Sequence, residues 1–164
     1  MKILAILLLA PLVAVAEIQY ITIPGEGWHL ALNTPPLTNT EAKSRGRIFR
    51  YLASSVETGV TVSVNTETQG SSSNAECRDK YWSKQQTNPM LVKGSETVFE
   101  NDTAYYSTYR SEGVYKGQPF KTANAHAYIV KNGICADVHV SHWPYTEKSE
   151  SMVANIVTSI AVVD

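Results

Sequence analysis

The chain has 164 residues, of which 43% are hydrophobic and 18% charged, and 14 Lys+Arg against 15 Asp+Glu leave a formal net charge of -1. These proportions fit one folded domain with a sizeable core and exclude a disordered chain, a collagen-like repeat and a polybasic nucleic-acid binder. Two cysteines are too few for a disulfide-scaffold miniprotein, and no strong catalytic, nucleotide or metal motif stands in the chain, so no cofactor is expected.

Residues 1–16, MKILAILLLAPLVAVA, have the anatomy of a secretory leader. Lys2 is a minimal positive n-region, Ile3 to Val13 an apolar stretch, and Ala14-Val15-Ala16 an A-x-A cleavage site. The stretch is shorter than the about 20 residues a membrane span needs. It meets Glu17 rather than a basic cluster, and no cysteine follows that could carry a lipid. The expectation is cleavage between Ala16 and Glu17, leaving a periplasmic or secreted single domain of residues 17–164 without a stable membrane anchor. Removal of the leader takes only Lys2 from the charge count, so nothing attracts nucleic acid or an anionic membrane.

Glu17 to Leu32 alternates around Pro24-Gly25-Glu26-Gly27, which predicts a strand, a turn and a second strand. Asn33 to Gly46 carries Pro35-Pro36 and no periodicity, and reads as a loop. Arg47 to Ser54 and Gly59 to Glu67 follow; the second puts Val60, Val62 and Val64 on one face and Thr61, Ser63 and Asn65 on the other. The short connector between them predicts an antiparallel pair. A serine run after Gly70 offers a cap for a helix ending near Gln86, before Asn88-Pro89. Strands are predicted at Thr97 to Glu100, Thr103 to Arg110, Pro119 to Lys131 and Ile134 to Trp143. The last element, Glu147 to Ile160, gathers Met152, Val153, Ile156, Val157 and Ile160 on one arc and reads as an amphipathic helix.

Asn132-Gly133 is the strongest hairpin signal in the chain. A two-residue loop there sets Lys131 opposite Ile134, and therefore Val130 opposite Cys135, Tyr128 opposite Asp137 and His126 opposite His139. One face then reads Ala125, Ala127, Ile129, Ile134, Ala136, Val138 and Val140, a core face whose alanines let a helix lie close. The other carries His126, Tyr128, Val130, Cys135, Asp137, His139 and Ser141, neither plain core nor plain surface. A slip of one residue would destroy this sorting.

Cys77, on the first predicted helix, and Cys135, on the mixed face, are the only cysteines. Export to an oxidising compartment favours a bond between them, with two buried free thiols as the alternative. The bond would dock the first helix on the mixed face and leave the closing helix to cover the apolar one. The fold expected is α+β: an antiparallel sheet of five to seven strands with helices on both faces, an α/β/α sandwich.

This order resembles the PsbP-like fold, shared by the extrinsic photosystem II subunit, a nuclear Ran-binding import factor and bacterial DcrB-like exported proteins. The resemblance rests on the strand pair around IPGEGWHLAL, the GVTVSV strand before a helix, the hairpin NAHAYIVKNGICADVHVS and the helix ESMVANIVTSI. These span nearly all of the chain after the leader. They are matches of order and pattern, so what the resemblance implies is the fold, and a non-catalytic binding or assembly role of the sort most members have. It assigns no functional residue by position.

His126, Asp137 and His139, with Ser141 and His142 nearby, are the one cluster of ligand-type side chains. Two histidines facing each other across antiparallel strands have Cβ atoms roughly 5 Å apart, a separation that suits Zn²⁺ or Cu²⁺ with Asp137 as a third ligand. The competing reading is a hydrogen-bonded polar patch beside the first helix. A hydrolytic order Asp137, His139, Ser141 is disfavoured, because alternate residues of one strand stand roughly 7 Å apart. Lys43, Arg45, Arg47 and Arg50 could hold an anion, or simply charge a loop beside an edge strand. Tyr105, Tyr106, Tyr109, Tyr115, Trp143 and Tyr145 suit an interface as well as strand packing, and Asn101-Asp102-Thr103 is a glycosylation sequon. The sequence thus points to a small exported, non-enzymatic binding or assembly module with a protein partner it does not identify. The alternative is a metal-binding protein using His126, Asp137 and His139.

Overall fold

Val60, Val62 and Val64 are wholly buried whereas Thr61, Ser63 and Asn65 between them are half-exposed, as a strand with one face in a core requires. The computed structural model describes residues 16–46, 48–67 and 71–164. All but the last residue of the expected leader, and Arg47 of the basic group, lie outside the described residues. In chain order the elements are β1 (Glu17–Thr22), β2 (His29–Thr34), β3 (Asn39–Arg45), β4 (Ile48–Ser54), β5 (Val60–Glu67) and α1 (Asn74–Gln86). They continue with β6 (Thr97–Glu100), β7 (Tyr105–Tyr115), β8 (Gln118–Lys131), β9 (Ile134–His142), α2 (Ser149–Thr158) and β10 (Ala161–Val163).

The chain is α+β with antiparallel pairing. A seven-stranded sheet runs β3-β4-β5-β9-β8-β7-β6, and a three-stranded sheet runs β1-β2-β10. The β8–β9 hairpin has the expected register, with His126 opposite His139, Tyr128 opposite Asp137 and Val130 opposite Cys135. Asn132 and Gly133 take φ of 53° and 73°, the left-handed values a tight primed turn demands.

Three elements depart from the sequence reading. The segment read as a loop from Asn33 to Gly46 contains β3, a full strand paired with β4. All seven of its residues are exposed, so neither face alternates and the pattern gives no strand signal. β7 and β8 run further than predicted, meeting at a Lys116-Gly117 turn with φ of 50° and 79°. The closing helix ends at Thr158, and Ala161–Val163 instead pairs with β2.

The two faces of the large sheet have different company. Val60, Val138, Val140 and the alanines of β8 share one core with Trp28, Leu30 and Leu32 of the small-sheet region and with Val153, Ile156 and Val157 of α2. Burying each such aliphatic side chain contributes about 1.5–3 kcal/mol. Tyr128 and Cys135, of opposite parity, instead cluster with Cys77 of α1. The Cys77–Cys135 disulfide is formed, closing a sequence separation of 58. Ser73 caps α1 by accepting from the Glu76 N–H, and Asn74 anchors its first turn by accepting from Val130 N at 2.7 Å and donating to Thr103 O at 3.2 Å.

Candidate functional site: a buried polar network and an exposed aromatic groove

Under α1, the mixed face of the hairpin forms one connected network. His126 Nδ1 lies 2.6 Å from Asp137 Oδ1, and a carboxylate only accepts, so Nδ1 carries the proton. In the neutral ring Nε2 then accepts from the Tyr109 hydroxyl at 3.0 Å. His139 stacks on His126 with ring centroids 4.4 Å apart, and its Nε2 donates to Asn124 Oδ1 at 3.1 Å. Asn124 in turn donates to Ser111 and Thr122, and Tyr128 shares a hydrogen bond with Ser107 at 3.1 Å. Tyr128 stacks on His126, while Trp82 and Tyr81 of α1 lie against Tyr109 and Tyr128.

The network is buried deeply enough to shift its ionisations. Burial first, and then the nearby Asp137 and Tyr128, raise the Tyr109 phenol well above the usual tyrosine range. Burial followed by Asp137 raises Tyr128, and burial followed by Glu67 and Asp137 raises Tyr81. Burial and the adjacent His126 hold His139 well below the ordinary histidine value of 6.5. These groups are thereby fixed in their neutral forms, which suits cohesion. A phenol so raised is a poor proton donor or nucleophile at neutral pH.

The structure brings His126, Asp137 and His139 together, but in roles set by hydrogen bonds. Asp137 holds His126 rather than His139, so Asp137, His139 and Ser141 do not line up as a proton relay. Both ring nitrogens of His126 have protein partners. Among the described residues no group of three or more His, Cys, Asp and Glu is placed to hold a metal ion. His142 belongs to the other face: its Nδ1 meets Ser149 Oγ at 2.8 Å, which ties the start of α2 to the end of β9. Asn101 Oδ1 accepts from Thr103 N and Ala104 N, closing the turn that carries the sequon.

The second feature depends on where the strands stop. β9 ends at His142 opposite Ala123, whereas β8 continues back to Gln118 paired with Tyr115 of β7. Residues 118–122 therefore overhang, paired with β7 on one side and, among the described residues, with no strand on the other. The chain after His142 turns up beside this ledge. Trp143 is 59% exposed, Tyr115 67% and Val114 70%. Two open grooves, of about 640 and 380 Å³, share Pro119, Phe120 and Trp143 as common walls. Phe120 packs on the bare backbone of Gly113, where an added Cβ would stand 3.3 Å from its ring. Lys121 lies 4.2 Å over the Tyr145 ring, and Tyr145 donates to Glu150 at 2.6 Å, which places charge at the rim.

The aromatic cluster named from sequence is divided by this geometry. Tyr106 and Tyr109 are buried, whereas Tyr115, Trp143 and the half-buried Tyr145 frame the ledge. Met90, Val114 and Phe120 were missed. The signal that could have found them is Lys116-Gly117 read as a second hairpin turn, which would have shown β7 and β8 outrunning β9. Of the basic group, Lys43 and Arg50 face each other across β3 and β4 beside a groove of about 290 Å³ that also contains Glu41.

No family model matches the chain, and no curated protein matches it either. A solved structure from Bacteroides thetaiotaomicron VPI-5482 is similar over 82% of this chain and 45% of its own, with 8% sequence identity and a TM-score of 0.47. The chain thus spans less than half the length of that neighbour.

Proposed function

We propose that this chain is an exported, non-catalytic binding or assembly module, an α/β/α sandwich of the PsbP-like type, which holds an extended apolar segment of a protein partner along the ledge at Trp143. The observation that carries the reading is the ledge itself. A strand edge that no other strand among the described residues pairs with lies beside exposed Tyr115, Val114 and Trp143. An extended peptide uses such a site by pairing its backbone with the edge and seating alternate side chains against the aromatics. Both grooves are open to solvent rather than enclosed, and they meet at Pro119, Phe120 and Trp143, which suits a chain lying across them. The sandwich reading is supported by α1 packing with Tyr128 and Cys135 while α2 packs with Val138 and Val140. The disulfide is consistent with an oxidising, extracytoplasmic location. Among the described residues no helix is long and apolar enough to cross a membrane.

In this reading the His126–Asp137–Tyr109 network fixes α1 on the sheet. The test is capture from the organism's own extracytoplasmic extract, with wild-type protein and a Tyr115→Ala/Trp143→Ala variant as parallel baits. A partner retained by the wild type and lost by the variant at equal thermal stability supports the assignment. Equal retention by both, or retention by neither, overturns it.

A further inference from the structure

We infer that β3 is a self-complementary edge through which two copies of this chain pair about a two-fold axis at Ala42, joining their sheets into one. Among the described residues β3 ends the large sheet, with β4 on one side only, and every residue from Asn39 to Arg45 is exposed. An edge of this length offers a row of free N–H and C=O groups to a second strand. A symmetric antiparallel pairing must place some residue opposite its own copy, and the charges choose which one.

With Ala42 on the axis, Glu41 faces Lys43 of the second copy and Lys43 faces its Glu41. Asn39 faces Arg45, Thr40 faces Ser44, and the small Ala42 side chains meet at the centre. Moving the axis to Glu41 sets Glu41 against Glu41; moving it to Lys43 brings Glu41 opposite Arg45 but sets Lys43 against Lys43 at the centre; moving it to Ser44 sets Lys43 against Arg45 twice, so the Ala42 axis alone of these four pairs opposite charges without opposing like ones. Directly opposed like charges destabilise a strand pair and opposite charges stabilise it, so one register is selected over its neighbours. Glu41 and Lys43 already lie on one face of β3, where they form an ion pair within the chain. Pairing would exchange two such exposed local contacts, one in each copy, for two cross-strand contacts between opposed strands. Thr40 and Ser44 form the hydroxyl pair on the opposite face. The charges that protect an edge from indiscriminate pairing here specify one partner, a second copy.

Sedimentation equilibrium over a range of protein concentrations tests this. The wild type is expected to form a dimer, Glu41→Lys and Lys43→Glu each to weaken association at least about tenfold, or about 1.4 kcal/mol, and the double reversal Glu41→Lys/Lys43→Glu to restore it. An independent readout is Ala42→Cys, which should oxidise to a covalent dimer because paired Cα atoms stand about 4.5–5.5 Å apart; Val98→Cys, on the opposite edge strand, should not. A wild type that stays monomeric, a dimer indifferent to both single reversals, or a double reversal that fails to recover association overturns the inference. A dimer lost only in Tyr115→Ala/Trp143→Ala would place self-association on the ledge instead and also overturns it.

Discussion

Opening the Cys77–Cys135 bond should detach α1 before anything else. Of its thirteen residues only Cys77 and Trp82 are buried, and its apolar side, Cys77 with Tyr81 and Trp82, is short. The helix is held by the disulfide, by Asn74, by the Trp82–Tyr109 and Tyr81–Tyr128 contacts and by Arg78 over the Tyr105 ring. Closing a loop with a sequence separation of 58 removes denatured-state entropy worth about 4 kcal/mol in the chain-entropy model. Against a typical total of about 5–15 kcal/mol, that is a large share. Urea unfolding of wild type and of Cys77→Ala/Cys135→Ala should therefore differ by about 3–4 kcal/mol, with a steeper denaturant dependence in the variant because its unfolded chain is less constrained. Amide exchange should show α1 opening well below the global transition. A loss under about 1 kcal/mol, or α1 amides as protected as those of β8, would refute the argument that the bond rather than apolar packing holds the helix.

Three further outcomes follow from the network and the ledge. His139→Ala should cost about 1–3 kcal/mol by leaving Asn124 without its donor, with no bound metal before or after; near-stoichiometric zinc or copper abolished by His126→Ala and His139→Ala would favour a metal site instead. His139 is held well below 6.5 in the folded protein, so the unfolded chain takes up a proton that the folded chain excludes. Stability should be full above about pH 6.5 and fall by up to about 1.4 kcal/mol per unit as pH drops below it; His139→Ala should flatten that slope between about pH 6.5 and 5.5, as read by chemical denaturation. Gly59→Ala places a Cβ 2.0 Å from the Trp143 carbonyl at a φ of 71°. It should destabilise by at least about 2 kcal/mol and alter Trp143 fluorescence, whereas an unchanged spectrum would show that Gly59 does not position the ledge.

The readable parts of the sequence were those where burial on one face imposed a period. The Val60/Val62/Val64 alternation and the Asn132-Gly133 turn fixed a strand and a register from local pattern alone. That register placed His126, His139 and Asp137 on one face with Cys135. Which atoms would bond was not readable: Tyr109 comes from β7, whose register depends on the turn at Lys116-Gly117, and although the hairpin register sets Asn124 opposite Ser141, it does not show that the Asn124 amide reaches diagonally to His139. β3 was hidden because a strand exposed on both faces has no hydrophobic period. The ledge was hidden because it depends on a difference between the lengths of β8 and β9. Lys116 adopts the left-handed conformation that the turn needs without being one of the residues that announce it.

An array of random twelve-residue peptides probed with the labelled protein reads directly whether the ledge at Trp143 holds an extended apolar peptide. Retention of a subset rich in aliphatic residues is expected, lost in Tyr115→Ala/Trp143→Ala and preserved in Glu41→Lys. Absence of any retained subset, or the same subset retained by Tyr115→Ala/Trp143→Ala, would contradict it.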